Sequence, residues 1–240
     1  MEKRINISNL NPKSPISEAY RILRTNIQYT NIDKNIKSIV VTSPGPGEGK
    51  STIAANFSVT MSQNQRKILL IDSDLRKPTV NVFFGLSNQM GLTNVLVENV
   101  EYTKIVQSTK IGKLDVLSSG PIPPNPSELL GTNKMKSLLQ RLKEDYDMVI
   151  LDSPPIGIVT DAAVLSAIAD GVILVCAAEQ TIIEEAKKSK ALLQQVNANI
   201  LGVVMNKIPL NTCGYYTCNY YDVGEKTSKS VGKKKVKANV

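Results

Sequence analysis

The stretch Ser43-Pro-Gly-Pro-Gly-Glu-Gly-Lys50-Ser51-Thr52 decides how the rest of this 240-residue chain is interpreted. It follows an apolar segment at residues 38–42, which predicts a buried strand, and it precedes residues 53–61, which predict a helix. A glycine-rich turn between strand and helix, closed by Gly-Lys-Ser, is the pattern of a phosphate-binding loop. Its backbone N–H groups turn inward because glycine lacks a Cβ, and together with the helix N-terminus they form a cradle for phosphate oxygens.

The residues of this loop have separate expected roles. Lys50 would place a positive charge near the β- and γ-phosphates of a nucleotide, and the Ser51 hydroxyl would bind Mg²⁺. Pro44 departs from the pattern, because a first glycine is usual at that position. The strand, the Gly-Lys-Ser ending and the helix remain, so we predict a site for ATP and Mg²⁺. The predicted cradle consists of Gly45, Pro46, Gly47, Glu48, Gly49, Lys50, Ser51 and Thr52.

Carboxylates follow two further apolar segments. One segment leads into Asp72 and Asp74, and the other into Asp152, which fits a Walker B carboxylate. Because ligands of open α/β sheets bind at the carboxyl ends of strands, these acids are expected beside the phosphate loop. We predict that Asp74 is the base that takes the proton of the nucleophile, although the choice between Asp72 and Asp74 stays open. Lys50 joins these three acids as a catalytic residue, and Ser51, Asp72 and Asp152 are the predicted metal ligands.

Apolar strands alternate with helical segments between residues 38 and 206. This alternation predicts an α/β fold of the P-loop NTPase class, with a mostly parallel central sheet and helices on both faces. Asn206 lies past the last strand at the rim of the crevice. Its amide is expected either to hydrogen-bond adenine or to form a turn. Residues 121–126 contain four prolines and are expected to be irregular.

The chain divides into a predicted domain of residues 1–210 and a flexible tail of residues 211–240. The domain begins with a helix at about residues 16–30, which Ser17 is expected to cap. Glu18, Arg21 and Arg24 recur within it at a spacing of three, so they share one helical face. That face is either a solvated surface with an internal ion pair or a contact with a neighbouring subunit.

The charge of +8 is concentrated near the C-terminus. Six of the 29 basic residues are lysines after Glu225, so the remainder, with 23 basic and 21 acidic residues, is near neutral. Such a lysine-rich end is expected either to touch anionic lipid or only to aid solubility. The longest hydrophobic region is interrupted by Asp161 and Asp170, and three cysteines occur without any histidine. These features predict a reduced cytosolic protein without a membrane span.

The tail carries four of the eight tyrosines within seven residues: Tyr215, Tyr216, Tyr220 and Tyr221. They lie beyond the last predicted strand, among polar residues and next to the lysines. A mobile segment would offer these phenols as phosphoryl acceptors. The alternative is that the rings pack on the surface of the domain.

With these residues in view, the chain resembles the bacterial tyrosine kinases, in their cytoplasmic catalytic form associated with capsule or exopolysaccharide synthesis. The resemblance covers nearly the whole chain. The matching elements are the Walker A loop at residues 46–51, the Walker A′ motif Leu69-Leu-Ile-Asp72-Ser-Asp74-Leu-Arg76-Lys-Pro78, the Walker B segment at residues 149–155, Glu18-Ala-Tyr-Arg21-Ile-Leu-Arg24, and the tyrosine cluster. The lysine-rich end departs from the family pattern, because the cluster is not at the extreme C-terminus.

The resemblance implies an ATP-dependent tyrosine autokinase that phosphorylates its own tyrosine cluster in trans. It assigns Glu18, Arg21 and Arg24 to a homo-oligomer of ring type. It further implies a membrane-embedded activator, similar to a chain-length regulator, that acts through its cytosolic tail, as well as a phosphotyrosine phosphatase and no nucleic acid. The expected location is cytoplasmic, at the inner face of the membrane through that partner.

Two other functions stay open at this point. A partition- or division-site-type ATPase shares the acids of the Walker A′ motif, but it usually carries an additional lysine early in the phosphate loop, where this chain has Ser43 and Pro44. The third hypothesis is a scaffold that holds nucleotide without turnover. The fate of the γ-phosphate of ATP separates the three hypotheses. A kinase transfers it to tyrosine, an ATPase releases it as free phosphate, and a scaffold does neither.

Overall fold

The computed structural model describes residues 14–30, 35–63 and 65–209. The described residues up to Lys207 belong to one compact unit, and a second unit begins at Ile208. The tyrosine cluster and the lysine-rich end therefore lie outside the described residues, and the predicted division of the chain at residue 210 stays a prediction. No helix among the described residues is both long and apolar enough to cross a bilayer.

A seven-stranded sheet forms the centre of the first unit, in the order β3-β4-β2-β5-β1-β6-β7. All neighbouring strands run parallel except the short pair β3 and β4. The predicted mostly parallel sheet is confirmed. The strands are β1 (Ser38–Thr42), β2 (Ile68–Asp72), β3 (Gln107–Ser108), β4 (Leu114–Leu117), β5 (Met148–Asp152), β6 (Gly171–Ala177) and β7 (Ile200–Asn206).

Helices cover both faces of this sheet, as predicted. Alternation along β1 shows the two faces, because Ile39 and Val41 join one hydrophobic core while Val40 joins the other. The first core includes α1 and α2, and the second includes α4, α6, α7 and α8. The helices are α1 (Pro15–Thr30), α2 (Lys50–Ser62), α3 (Val80–Phe84), α4 (Leu92–Glu98), α5 (Pro126–Leu130), α6 (Asn133–Asp145), α7 (Asp161–Ser166) and α8 (Ile183–Gln195).

Two local expectations need correction. Helix α1 is capped by Ser14 and not by Ser17, because the Ser17 N–H donates to Ser14 Oγ at 3.1 Å and Pro15 takes the first helical position. The proline-rich segment is irregular only until its last proline. Pro126 opens α5, where its missing N–H costs the helix nothing.

The strand order determines where the predicted site residues meet. β5 lies between β1 and β2, so Asp152 stands beside the end of the strand that feeds the phosphate loop and beside Asp72. The carboxyl ends of these three neighbouring strands therefore form one crevice.

Candidate active site

The phosphate loop connects β1 to α2 through two glycines in the left-handed region. Gly47 has φ +74° and Gly49 has φ +92°. A side chain at Gly49 would also collide with its surroundings, because a Cβ there would lie 2.1 Å from Nδ2 of Asn206. The sequence places glycine where both backbone conformation and space demand it.

Three side chains at or after the ends of β6 and β7 donate hydrogen bonds to three carbonyl groups of this loop. Asn206 Nδ2 donates to Glu48 O at 2.8 Å, and Lys207 Nζ donates to Gly47 O at 2.7 Å. Gln180 Nε2 donates to Pro46 O at 3.2 Å, and its Oε1 accepts from Lys207 Nζ at 2.9 Å. We call Gln180, Asn206 and Lys207 the loop brace. Asn206 thus contacts the loop itself, and its predicted contact with adenine stays a prediction.

Glu48 faces the loop and not the solvent. Its side chain accepts the Gly45 N–H at 2.8 Å on Oε1 and the Thr181 hydroxyl at 2.8 Å on Oε2. Thr181 Oγ1 in turn accepts the Ala177 N–H at 2.8 Å. The Gly45 N–H, which belongs to the predicted phosphate cradle, thus donates to the Glu48 carboxylate within the protein.

Lys50 joins two of the predicted acids. Its Nζ donates to Asp74 Oδ2 at 2.9 Å and lies 3.9 Å from Asp152 Oδ1. Burial alone would lower the pKa of Lys50, but the charges of Asp152 and Asp74 outweigh it and raise that pKa. Asp74 Oδ1 also accepts the Lys77 N–H at 3.0 Å, so both of its oxygens are engaged. The predicted catalytic lysine and acids are thus brought together.

Asp72 and Asp152 stand side by side on β2 and β5. Asp72 Oδ2 accepts the N–H groups of Thr79 and Val80, both at 2.9 Å. Burial, reinforced by the neighbouring Asp152, raises the pKa of Asp72 to about 7. Burial also raises the pKa of Asp152 to about 6, although Lys50 opposes the shift.

Unpartnered oxygens mark where a cation fits. Within the described residues, Asp72 Oδ1 and both carboxylate oxygens of Asp152 are buried and have no partner at hydrogen-bonding geometry, although Ser51 lies close enough to Asp152 to lower its pKa and Lys50 Nζ stands 3.9 Å from its Oδ1. Buried carboxylate oxygens in that state are costly unless a cation compensates them. The described residues contain no cluster of three or more acids, cysteines or histidines that would hold a metal unaided. Two carboxylates and a hydroxyl suit Mg²⁺, which takes its other ligands from water and phosphate.

A cavity of about 290 Å³ is lined by Lys50, Ser51 and Asp74. The rest of its lining comes from the phosphate loop, Lys77, Thr79, α3 and Pro155. Arg76 lies in the turn between Asp74 and Lys77. Its guanidinium donates to both carboxylate oxygens of the buried Asp161, at 2.9 and 3.0 Å, and so fixes this turn.

The predicted oligomerisation residues of α1 differ in their surroundings. Arg21 Nη1 pairs with Glu18 Oε2 at 2.7 Å, and both side chains are more than a third exposed. Arg24 instead reaches α2, where its Nη1 donates to Thr60 O at 3.1 Å. The internal ion pair that the spacing suggested is present, while Arg24 also ties α1 to the domain.

Comparison with known proteins places this site in a family. A family model described as "AAA domain" matches residues 36–202. The tyrosine-protein kinase YwqD of Bacillus subtilis (strain 168) is 47% identical over 213 residues, which cover 88% of this chain and 90% of that protein. The chain belongs to the bacterial tyrosine kinases. It is therefore an enzyme of the protein-tyrosine kinase class with a P-loop NTPase fold.

Solved structures of bacterial tyrosine kinases share this architecture. The crystal structure of the chimerical protein CapA2B2 matches with a TM-score of 0.81 and 45% identity, covering 85% of this chain and 90% of that one. The kinase domain of the Escherichia coli tyrosine kinase ETK matches with a TM-score of 0.79 and 33% identity, covering 83% and 78%.

The sequence alone did not reveal the loop brace residues Gln180 and Lys207, nor the partnership of Thr181 with Glu48. Each contact joins residues more than 130 positions apart, so no local spacing announces it. The available signal was position, because Lys207 directly follows β7 and Gln180 lies three residues after the end of β6.

Proposed function

We propose that this chain is an ATP-dependent autokinase that phosphorylates the tyrosines of its own C-terminal cluster and so regulates the synthesis of a capsular or extracellular polysaccharide. The observation that carries the proposal is the meeting of Lys50, Asp74 and Asp152 over the phosphate loop. The cluster of Tyr215, Tyr216, Tyr220 and Tyr221 supplies acceptors on the same chain.

ATP is the proposed phosphoryl donor, held by the N–H groups of the loop. Mg²⁺, when bound, would supply positive charge that neutralises part of the charge of the transferring phosphate. Ser51, Asp152 and Asp72 would hold it, directly or through water, because the two acids keep buried oxygens that have no partner at hydrogen-bonding geometry among the described residues. This supports their predicted role as metal ligands.

Asp74 is the proposed base for the tyrosine hydroxyl. Lys50 now occupies one of its oxygens, and a bound γ-phosphate offers Lys50 a partner of greater negative charge. We infer that Lys50 exchanges Asp74 for phosphate when ATP binds, which leaves Asp74 Oδ2 free to accept a proton. The base would then be released only in the presence of its substrate.

We also propose that the kinase assembles and acts with protein partners. A homo-oligomer, with Glu18 and Arg21 at its contact, would bring the tail of one subunit to the crevice of another, where tethering raises the effective concentration of the acceptor. A membrane-embedded activator would contribute its cytosolic tail and hold the kinase at the inner face of the membrane. A phosphotyrosine phosphatase would reverse the modification.

The rival function is a nucleotide-driven ATPase switch of the partition or division-site type. The absence of an early lysine at Ser43 and Pro44 speaks against it, and a switch has no use for four clustered tyrosines. A non-catalytic scaffold does not explain why Asp74 is placed within reach of the phosphate loop.

A mixing experiment tests transfer in trans. A full-length Lys50→Met protein, which supplies acceptors only, is incubated with an active chain truncated after residue 210, in the presence of MgATP. We expect phosphate on Tyr215–Tyr221 of the Lys50→Met protein by mass spectrometry. If those tyrosines stay unmodified, while the wild-type chain labels itself at a rate independent of protein concentration, transfer occurs within one chain.

A further inference from the structure

The cavity over the phosphate loop has a chemically mixed lining. Lys50, Asp74 and Lys77 contribute charged groups, whereas Val82 and Phe83 on α3 contribute apolar side chains, which we call the apolar wall. Val82 is 48% exposed in spite of its aliphatic side chain. Phosphates need N–H donors and cations, so an apolar wall beside them serves another part of a ligand.

The structure assigns this wall to the acceptor. We propose that α3 holds the aromatic ring of the incoming tyrosine, with Val82 and Phe83 against its face, while the ring's hydroxyl reaches Asp74. The inference rests on the proposed function, because it names the seat of the substrate in the same site. The occupant is a tyrosine of the cluster at residues 215–221.

The sheet order separates this wall from the other side of the phosphate loop. α3 follows β2, which lies two places from β1 on one side, and Asn206 ends β7, two places from β1 on the other. An adenine held near Asn206 would leave the α3 side to a second substrate. Phe83 packs against the core beneath α3, so the wall has a fixed backing.

The chemistry explains why a ring is selected. The phenol oxygen forms a bond to the γ-phosphorus, the bond from that phosphorus to the β–γ bridging oxygen breaks, ADP leaves, and the phenol proton passes to Asp74. In the proposed pose, the tyrosine ring extends from its peptide towards Asp74, and its faces are covered by Val82 and Phe83. A serine hydroxyl lies close to its own backbone and gains nothing from the wall.

Val82→Asp tests the proposal, with Val97→Asp as a matched control. Val97 is 56% exposed on α4 and does not line the cavity, so its variant carries the same chemical change elsewhere. The full chain is assayed with MgATP and a synthetic peptide of residues 211–222. We expect Val82→Asp to raise the KM for the peptide about tenfold, the effect of losing one buried apolar contact. The Kd for MgADP should be unchanged, and Val97→Asp should change neither constant.

Val82→Ala adds a variant without a new charge and should raise the KM for the peptide by a smaller factor. An unchanged KM for the peptide in Val82→Asp would overturn the proposal. A loss of MgADP affinity in parallel with the loss of peptide affinity would also overturn it, because the wall would then hold the nucleotide base. If the wild-type chain labels neither its own tyrosines nor the peptide, the proposed function fails, and the seat on α3 fails with it.

Discussion

Lys50 and Asp74 form the contact on which the proposed chemistry depends. Their 2.9 Å ion pair joins the proposed base to the proposed phosphate-binding cation. Asp152 is farther from Lys50, at 3.9 Å, and its buried oxygens have no partner at hydrogen-bonding geometry among the described residues. The two acids therefore have different surroundings, in keeping with the different roles proposed for them: Asp74 in proton transfer and Asp152 at the metal.

Substitution separates these roles. We expect Asp74→Asn to retain MgADP binding within about threefold and to lose phosphotyrosine formation by at least about a hundredfold, since general-base contributions are of that size. Asp152→Asn should instead weaken MgADP binding severely. Calorimetric titration with MgADP and an anti-phosphotyrosine assay measure the two effects. If Asp74→Asn loses nucleotide as Asp152→Asn does, the assignments are reversed.

The sequence was sufficient to predict which residues meet in the crevice but not which residues support them. A lysine after Gly-x-Gly and acids after apolar segments are local patterns, and the parallel sheet brings them together without further information. Gln180, Thr181 and Lys207 contact the phosphate loop only because the fold brings them there. They are far from the loop in the sequence, so no periodic pattern predicts these contacts. The cap of α1 was misplaced for a different reason: Ser14 and Ser17 are both suitable caps, and only the position of Pro15 distinguishes them.

At the scale of elements, the phosphate loop is a turn held from outside by the ends of β6 and β7. The loop brace occupies the carbonyl groups of Pro46, Gly47 and Glu48, which favours inward-facing N–H groups in the same turn. We therefore expect the affinity of the loop for phosphate to depend on residues outside the loop.

We expect Lys207→Met to weaken MgADP binding about tenfold, because it removes a charged hydrogen bond to the Gly47 carbonyl. Lys207→Arg should restore part of the affinity, since the guanidinium can donate to the same carbonyl. Lys190→Met, on α8 away from the loop, serves as the control in the same calorimetric titration. Wild-type affinity in Lys207→Met would mean that the brace is not needed to shape the loop.

Asp170 connects the beginnings of strands β1 and β6 to α6. Its Oδ2 accepts the N–H groups of Lys37 and Ser38 at 2.9 Å, and its Oδ1 accepts from Lys143 Nζ at 2.6 Å. Burial alone would raise the pKa of Asp170, but the hydrogen bonds from Lys143 and the Lys37 N–H hold it below its ordinary value.

A lowered pKa means that the unfolded chain binds a proton more readily than the folded one near pH 4. The stabilisation is therefore complete above the ordinary pKa of aspartate and is lost as the pH falls through the folded value. We expect Asp170→Asn to lower the free energy of unfolding at pH 7 by about 1–2 kcal/mol, a modest value because the pair is partly exposed. Urea denaturation at pH 7 and pH 3 measures it, and the difference between variant and wild type should shrink at pH 3. An equal difference at both values would contradict the role of the charge.

At the scale of the whole molecule, α1 has a packed face and a partly exposed face, which the spacing of its charged residues alone did not separate. Tyr20 and Ile27 pack it into the core, and Arg24 ties it to the Thr60 carbonyl of α2. Glu18 and Arg21 remain on a partly exposed face. A double substitution of both arginines would therefore mix loss of assembly with loss of docking.

Single substitutions of Arg21 and Arg24 separate loss of assembly from loss of α1 docking. We expect Arg21→Ala to shift the protein towards monomer in light scattering with less than about 3 °C change in Tm, as is usual for surface changes in a domain of this size. Arg24→Ala should lower Tm by more, because it removes a hydrogen bond between α1 and α2. An Arg21→Ala protein with unchanged mass and unchanged autophosphorylation would exclude this face as the contact.

The most direct measurement is the fate of labelled phosphate from γ-labelled ATP, followed in the purified wild-type chain and in Lys50→Met. The proposed mechanism predicts label on tyrosine in the wild type and none in Lys50→Met, because Lys50 neutralises the charge of the transferring phosphate. Free phosphate without phosphotyrosine in the wild type, or phosphotyrosine at the wild-type level in Lys50→Met, would contradict it.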